Sequence, residues 1–319
     1  MGRSSRTKRE GGRQQKIAAQ RAAARRARVR NRILMAAGSI AVVVAVVVAL
    51  VVVKMNSQAP ALPDASEGPS GAALHSLVSQ VTGEPAGVLD RVGPGSLAGG
   101  DIGTGNPAGS YLSGVSGPAL TSGGKPEVLY VGADYCPFCA AERWSMIVAL
   151  SRFGTFSGLS TIHSSSTDVP ANVPTFTFHG SSYTSRYLSF VPVEETTNYR
   201  EGHSASQTVP YATLQVPTAA EQALIDRYDP GTGGQGGSIP FIDIGNRYVE
   251  VGNLAPYGPQ DLQGMTWTQV AAALRDPSTP VARGAIGSAN YLTAGICKLT
   301  GNRPATACTA PVRALEPRL

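Results

Sequence analysis

Gly132-Ala133-Asp134-Tyr135-Cys136-Pro137-Phe138-Cys139-Ala140-Ala141-Glu142-Arg143 follows the apolar run Val128-Leu129-Tyr130-Val131. Glu127 to Val131 reads as a short strand buried on both faces. Pro137 then falls at the first helical position, where its missing N–H costs nothing. Ala140, Ala141, Trp144, Ile147, Val148 and Leu150 keep one broad apolar face until Gly154 stops the helix. A Cys-x-x-Cys at this junction sets the first sulfur at a helix N-terminus, where free N–H groups and the helix dipole stabilise a thiolate. The second sulfur lies one turn further on, close enough to attack a mixed disulfide formed by the first. These are the parts that thiol–disulfide exchange requires.

Working outward, Leu159 to Ser164 reads as a second strand, which a strand–helix–strand unit would set parallel to the first through a right-handed crossover. Thr175 to Phe178 and Tyr187 to Val193 alternate about His179-Gly180-Ser181-Ser182 as a hairpin does. Glu221 to Tyr228 reads as a short helix. The glycine-rich loop Asp229 to Ser238 lacks the Lys-Ser/Thr ending of a phosphate cradle. Ile239-Pro240 then opens two strand-like runs joined at Gly245-Asn246, a strong hairpin signal. Pro240 cannot donate to the ladder, and it is a candidate for a cis bond. Thr266 caps a helix to Leu274, and an irregular tail with Cys297 and Cys308 follows. Upstream, Leu74, Leu77, Val78 and Val81 mark a short helix ending at Gly83. Residues 83–124 read as turns with a lead-in strand hairpinned through Ser122-Gly123-Gly124. The fold class is α/β.

The 319 residues carry 27 Lys or Arg and 21 Asp or Glu, a net charge of +6. Twelve of the basic residues and one acid (Glu10) lie in residues 1–32, so the remainder carries a net charge of −5. The basic character belongs to a tail. Ile33 to Val53 is an uncharged run of 21 residues, long enough to span a hydrocarbon core of about 30 Å as a helix. A cleaved signal peptide would have a shorter apolar region of about 7–15 residues. The excess of positive charge before the run orients it with residues 1–32 cytoplasmic and the C-terminal domain outside. Positive-inside topology and anionic lipid account for the tail without nucleic acid. The expected plan is a cytoplasmic tail at 1–32, a transmembrane helix at 33–53, a linker at 54–73 and an extracytoplasmic domain at 74–319.

All four cysteines (Cys136, Cys139, Cys297, Cys308) then lie where disulfides persist. Zinc fits poorly, because the two pairs are far apart and the second is C-x10-C; no metal and no cofactor are expected. The tight Cys136–Cys139 ring is reducible and suits exchange more than stapling. Closing the loop from Cys297 to Cys308, in the segment 281–319, restricts the unfolded chain by roughly 3 kcal/mol in the entropy model. A structural bridge is the expectation there, with a second exchange site relaying electrons to Cys136–Cys139 as the sharper alternative.

The order of strand, Cys136-Pro137-Phe138-Cys139, helix, β-α segment, Ile239-Pro240 hairpin and closing helix resembles the thioredoxin superfamily. The resemblance implies that Cys136 is the nucleophile, that Cys139 resolves, and that Pro240 faces the pair. The dipeptide Pro137-Phe138 is similar to that of glutaredoxins and some periplasmic disulfide oxidoreductases. The stretches Gly132 to Trp144, Ser166 to Pro174 and Ile296 to Asn302 also resemble a membrane-anchored family, domain of unknown function nine-two-nine, over roughly residues 75–310. Residues 165–238 read as a long insertion into a thioredoxin-like fold, which disfavours glutathione use. Asp134 and Glu142 are candidates to tune or shuttle protons near Cys139, or are solvated helix-end charges.

Together these readings predict a membrane-anchored thiol–disulfide oxidoreductase, oxidant or isomerase, acting on exported cysteine-containing proteins with a membrane redox partner. The alternative is a thioredoxin-like binding or scaffold module of the envelope without redox turnover, using residues 165–238 as its partner surface.

Overall fold

A computed structural model describes residues 68–96, 111–231, 237–252 and 257–319. The expected cytoplasmic tail, membrane span and most of the linker lie outside these residues. Among the described residues no helix is long and apolar enough to cross a membrane.

The first half comprises α1 (Gly71–Thr82), α2 (Ala86–Val92), β1 (Ser113–Gly114), β2 (Thr121–Ser122), β3 (Lys125–Gly132) and α3 (Pro137–Ser151). Next come β4 (Gly154–Ser157), β5 (Ser160–His163), β6 (Pro174–Thr177), β7 (Ser182–Ser185), β8 (Ser189–Glu194), β9 (Thr196–Arg200) and β10 (Tyr211–Thr213). The chain continues through α4 (Ala219–Tyr228), β11 (Phe241–Ile244), β12 (Tyr248–Val251), α5 (Trp267–Leu274), α6 (Pro280–Leu299) and α7 (Ala310–Arg313).

β3 is the middle of a mixed sheet. β8 runs parallel to it in the register Glu127↔Ser189 to Gly132↔Glu194. On its other side β11 pairs antiparallel, Phe241 opposite Val131, and β12 returns along β11. β1 closes that edge, and β2 joins the start of β3 through Gly123-Gly124, both at positive φ. The strand alternation sorts the core into two layers. Val128, Tyr130, Ile242 and Ile244 face a large cluster with α1, α2, α3, α5 and α6. Leu129, Val131, Phe241 and Val249 face the opposite way, onto Ile225, Leu224 and Tyr228 of α4.

Three expectations about order and pairing are corrected. Ser160–His163 is not the parallel partner of β3; β8, within the stretch read as insertion, holds that place. Phe190, Val191 and Val193 supply apolar side chains to both faces of the sheet, which Ser-Thr-Ile-His cannot do. Nor do Thr175–Phe178 and Tyr187–Val193 pair with each other. β4 pairs with β7, and β5 with β6, as two antiparallel pairs folded back beside α3. Finally, the tail is not irregular. Thr279 caps and Pro280 opens a helix of 20 residues, buried along most of its length. Its glycines are weak helix formers, but they allow close approach. A Cβ at Gly287 would come within 2.9 Å of the Pro94 carbonyl, and one at Gly284 would strike Tyr257.

Candidate functional site

β3 delivers the chain to Cys136, which caps α3: its Sγ accepts the Cys139 N–H at 3.2 Å. Pro137 occupies the first turn and sets the bend. Ile239-Pro240 is a cis bond and comes alongside, with the Ile239 carbonyl 3.8 Å from the Cys136 sulfur. Cys136 is 4% exposed and Cys139 fully buried, whereas Phe138 stands out at 43%. Both thiols are free. Cys136, Cys139, Pro137, Phe138 and Pro240 therefore converge.

The two thiols differ in acidity. Burial pushes Cys136 up, but hydrogen bonding with the Cys139 thiol, the Cys139 and Phe138 N–H groups, and the Arg143 charge outweigh it, so the net shift is downward. Burial pushes Cys139 well above its ordinary value, reinforced by its hydrogen bond and proximity to the Cys136 sulfur. A lowered thiol pKa at the helix start beside a raised one behind it is the division of labour that exchange needs, with the readier thiolate as nucleophile and the other sulfur as the resolving group.

Beneath the pair lies an ion network. Arg143 donates from Nε to Glu194 Oε1 at 2.9 Å and from Nη2 to Glu194 Oε2 at 2.6 Å, with a further bond to the Ala133 carbonyl at 2.8 Å. Both partners are fully buried, so the bidentate geometry offsets a large desolvation cost. Asp134 adds a longer contact to Arg143 at 3.5 Å. Burial first, then the Glu194 charge, pushes Asp134 up to about 6, against the pull of Arg143. Glu142 points elsewhere. The Tyr111 hydroxyl donates to it at 2.5 Å, and burial pushes its carboxyl up to about 8 with that hydrogen bond opposing. Neither acid is a solvated helix-end charge, since Asp134 and Glu142 are both buried. Of the two, only Asp134 belongs to the network under the cysteines.

Several neighbours were not singled out from the sequence. Glu194, the partner of Arg143, lies at the end of β8, 51 residues away along the chain, a separation no local pattern reveals. Arg143 itself, the only cation near the motif in the sequence, stands four residues after Cys139 on one helix face. Tyr135 stacks on Tyr211 at 4.1 Å between ring centroids, and Arg200 lies over the other partner's ring at 4.1 Å. The β9–β10 hairpin is thus pinned against the residue before Cys136.

Cys297 and Cys308 form a disulfide, with Cα atoms 5.7 Å apart. Cys297 sits in the last turn of α6, and Arg152 at the end of α3 donates to the Ala307 carbonyl at 2.8 Å. Among the described residues no three or more His, Cys, Asp or Glu side chains gather as a metal-ligand set.

The model of the family Domain of unknown function (DUF929) matches residues 111–298, more than half of the 319 residues, and the chain belongs to that family. No curated protein and no solved structure matches the chain.

Proposed function

As a member of that family, the chain is, we propose, a membrane-anchored extracytoplasmic thiol–disulfide oxidoreductase with a thioredoxin-like fold, acting on exported proteins. The observation that carries the reading is the N-cap position of Cys136, its sulfur held by the Cys139 N–H with Cys139 buried directly behind it. The fold reading draws support from the order β3, α3, β8, α4, β11–β12 and α5, and from Pro240 lying beside Cys136. Cys136 attacks a substrate disulfide or, once paired, transfers its own; Cys139 displaces the partner. Asp134, buried next to Arg143, is placed to tune the pair, whereas Glu142 takes no part. N–H groups and Arg143 stabilise the Cys136 thiolate, which favours the reduced form and hence an oxidant or isomerase. The bridge Cys297–Cys308 is structural. Residues 33–53 hold the chain in the membrane, and a membrane redox partner resets the pair.

A redox titration of the full chain, followed by alkylation of Cys136 and Cys139, tests this reading. A midpoint between about −120 and −180 mV is expected for an oxidant or isomerase, and one near −270 mV would make it a reductant. A pair still oxidised below about −300 mV would end the enzyme reading. A binding module without turnover is the second reading, favoured by the near-complete burial of Cys136. It requires that Cys136→Ser leave the cellular role intact.

A further inference from the structure

Tyr130 is buried to 0% exposure, and among the described residues its hydroxyl has no hydrogen-bond partner, neither sulfur included while both thiols are reduced. A desolvated hydroxyl left alone costs free energy, and native folds rarely keep one without a use. Its position is specific. Tyr130 faces the helical layer from β3, its ring held edge-on by Phe178 at 5.2 Å between centroids, with the Arg143 guanidinium 6.0 Å from the ring centre. Gly132, two residues on and on the same face of the strand, makes room for the hydroxyl: a Cβ there would collide with the Tyr130 oxygen. The backbone of the next residue, Ala133, opposes the upward push of burial on the Cys139 thiol. The phenol thus runs along the sheet toward the start of α3, within electrostatic reach of Cys139 and Cys136.

We infer that the Tyr130 hydroxyl is the hydrogen-bond donor that stabilises the Cys139 sulfur as it becomes a thiolate during resolution. The inference rests on the exchange reading above. In that step the Cys139 S–H bond breaks and its sulfur attacks Sγ of Cys136. The Cys136–partner S–S bond breaks, and the proton ends on the partner's departing sulfur. Electrons balance within the exchange, with no outside oxidant or reductant. Between the two ends, negative charge sits on a fully buried sulfur, where a nearby donor still unpaired in the thiol state is worth more than in water. Tyr130 acts as a donor and not as a base. Burial above all, and then the Cys139 sulfur, the Glu194 carboxylate and the Cys136 sulfur, hold its proton on against the pull of Arg143.

Tyr130→Phe removes the oxygen and keeps the ring. The reduced full-length chain is mixed with 5,5′-dithiobis(2-nitrobenzoate), and thiobenzoate release is followed in two phases. The first reports attack by Cys136, the second resolution by Cys139. In Y130F the first phase is expected to stay within about twofold, and the second to slow by about three- to fourfold at fixed pH, as a one-unit rise in the Cys139 pKa produces once the greater nucleophilicity of the more basic thiolate is counted. The pH midpoint of the second phase rises accordingly, while the variant melts no lower than the parent. An unchanged second phase, or two phases slowed alike, overturns the inference and leaves exchange standing. A parent with no second phase overturns the exchange reading, and this inference with it.

Discussion

The two cysteine pairs sit at opposite ends of helices. Cys136 caps the start of α3, where N–H groups converge on its sulfur. Cys297 lies in the last turn of α6, where the exposed carbonyls carry the negative end of the dipole. A thiolate is stabilised at the first place and opposed at the second. The first pair is separated by one helical turn and free; the second bridges 11 residues and closes the end of the chain onto α3 and α6. Helix polarity, more than the number of cysteines, separates a pair suited to exchange from one suited to stapling.

The largest expected effect breaks this contrast on the exchange side. Cys136→Ser should abolish disulfide transfer to a model substrate while leaving the melting transition near that of the parent. A variant that still transfers disulfides would move the chemistry away from Cys136. Next comes the support beneath the pair. Arg143→Met strands the buried Glu194 carboxylate, and denaturant unfolding should show a loss of about 3–5 kcal/mol. A loss under 1 kcal/mol would mean that Glu194 finds another partner or takes up a proton at little cost.

The staple comes third. The double variant Cys297→Ser/Cys308→Ser should lower stability by about 3 kcal/mol, read from chemical denaturation, while exchange through Cys136 stays intact. Loss of exchange in a variant that remains folded would revive the relay between the pairs. Burial of both sulfurs in the α6 core argues against it. The smallest effect concerns the carboxyl turned away from the site. Glu142 is held at about 8 when folded, against an ordinary 4.5. The folded state therefore keeps a proton that the unfolded chain releases, and the stability Glu142 contributes is lost as pH rises from about 4.5 to 8. Glu142→Gln should flatten the stability profile there by up to about 1.4 kcal/mol per pH unit. Its exchange kinetics should match those of the parent, because Glu142 faces Tyr111 and not Cys139. Slower resolution in this variant would return Glu142 to the site.

Local chemistry was legible without coordinates. The strand into Cys136, the helix opened by Pro137, the turn at Gly245-Asn246 and the cap at Thr266 each depend on side chains close together in the chain. Partner choice was not. β8 displaced β5 beside β3 because burial on both faces of a sheet is decided by everything packed against it. The helix α6 was hidden because its glycines lower intrinsic propensity, and only contact with Pro94 and Tyr257 reveals what they allow.

By itself, then, the sequence determined which sulfurs could share a helix start, and that a strand would carry them there. Tertiary structure alone decided which charges lie beneath them. It set Glu194 and Asp134 against Arg143, turned Glu142 away toward Tyr111, and brought the Tyr130 hydroxyl over Gly132. Hydrogen-bonding and helical periodicity act over a few residues, whereas desolvation and Coulomb energy depend on whatever the fold brings within several ångströms, however distant in the chain.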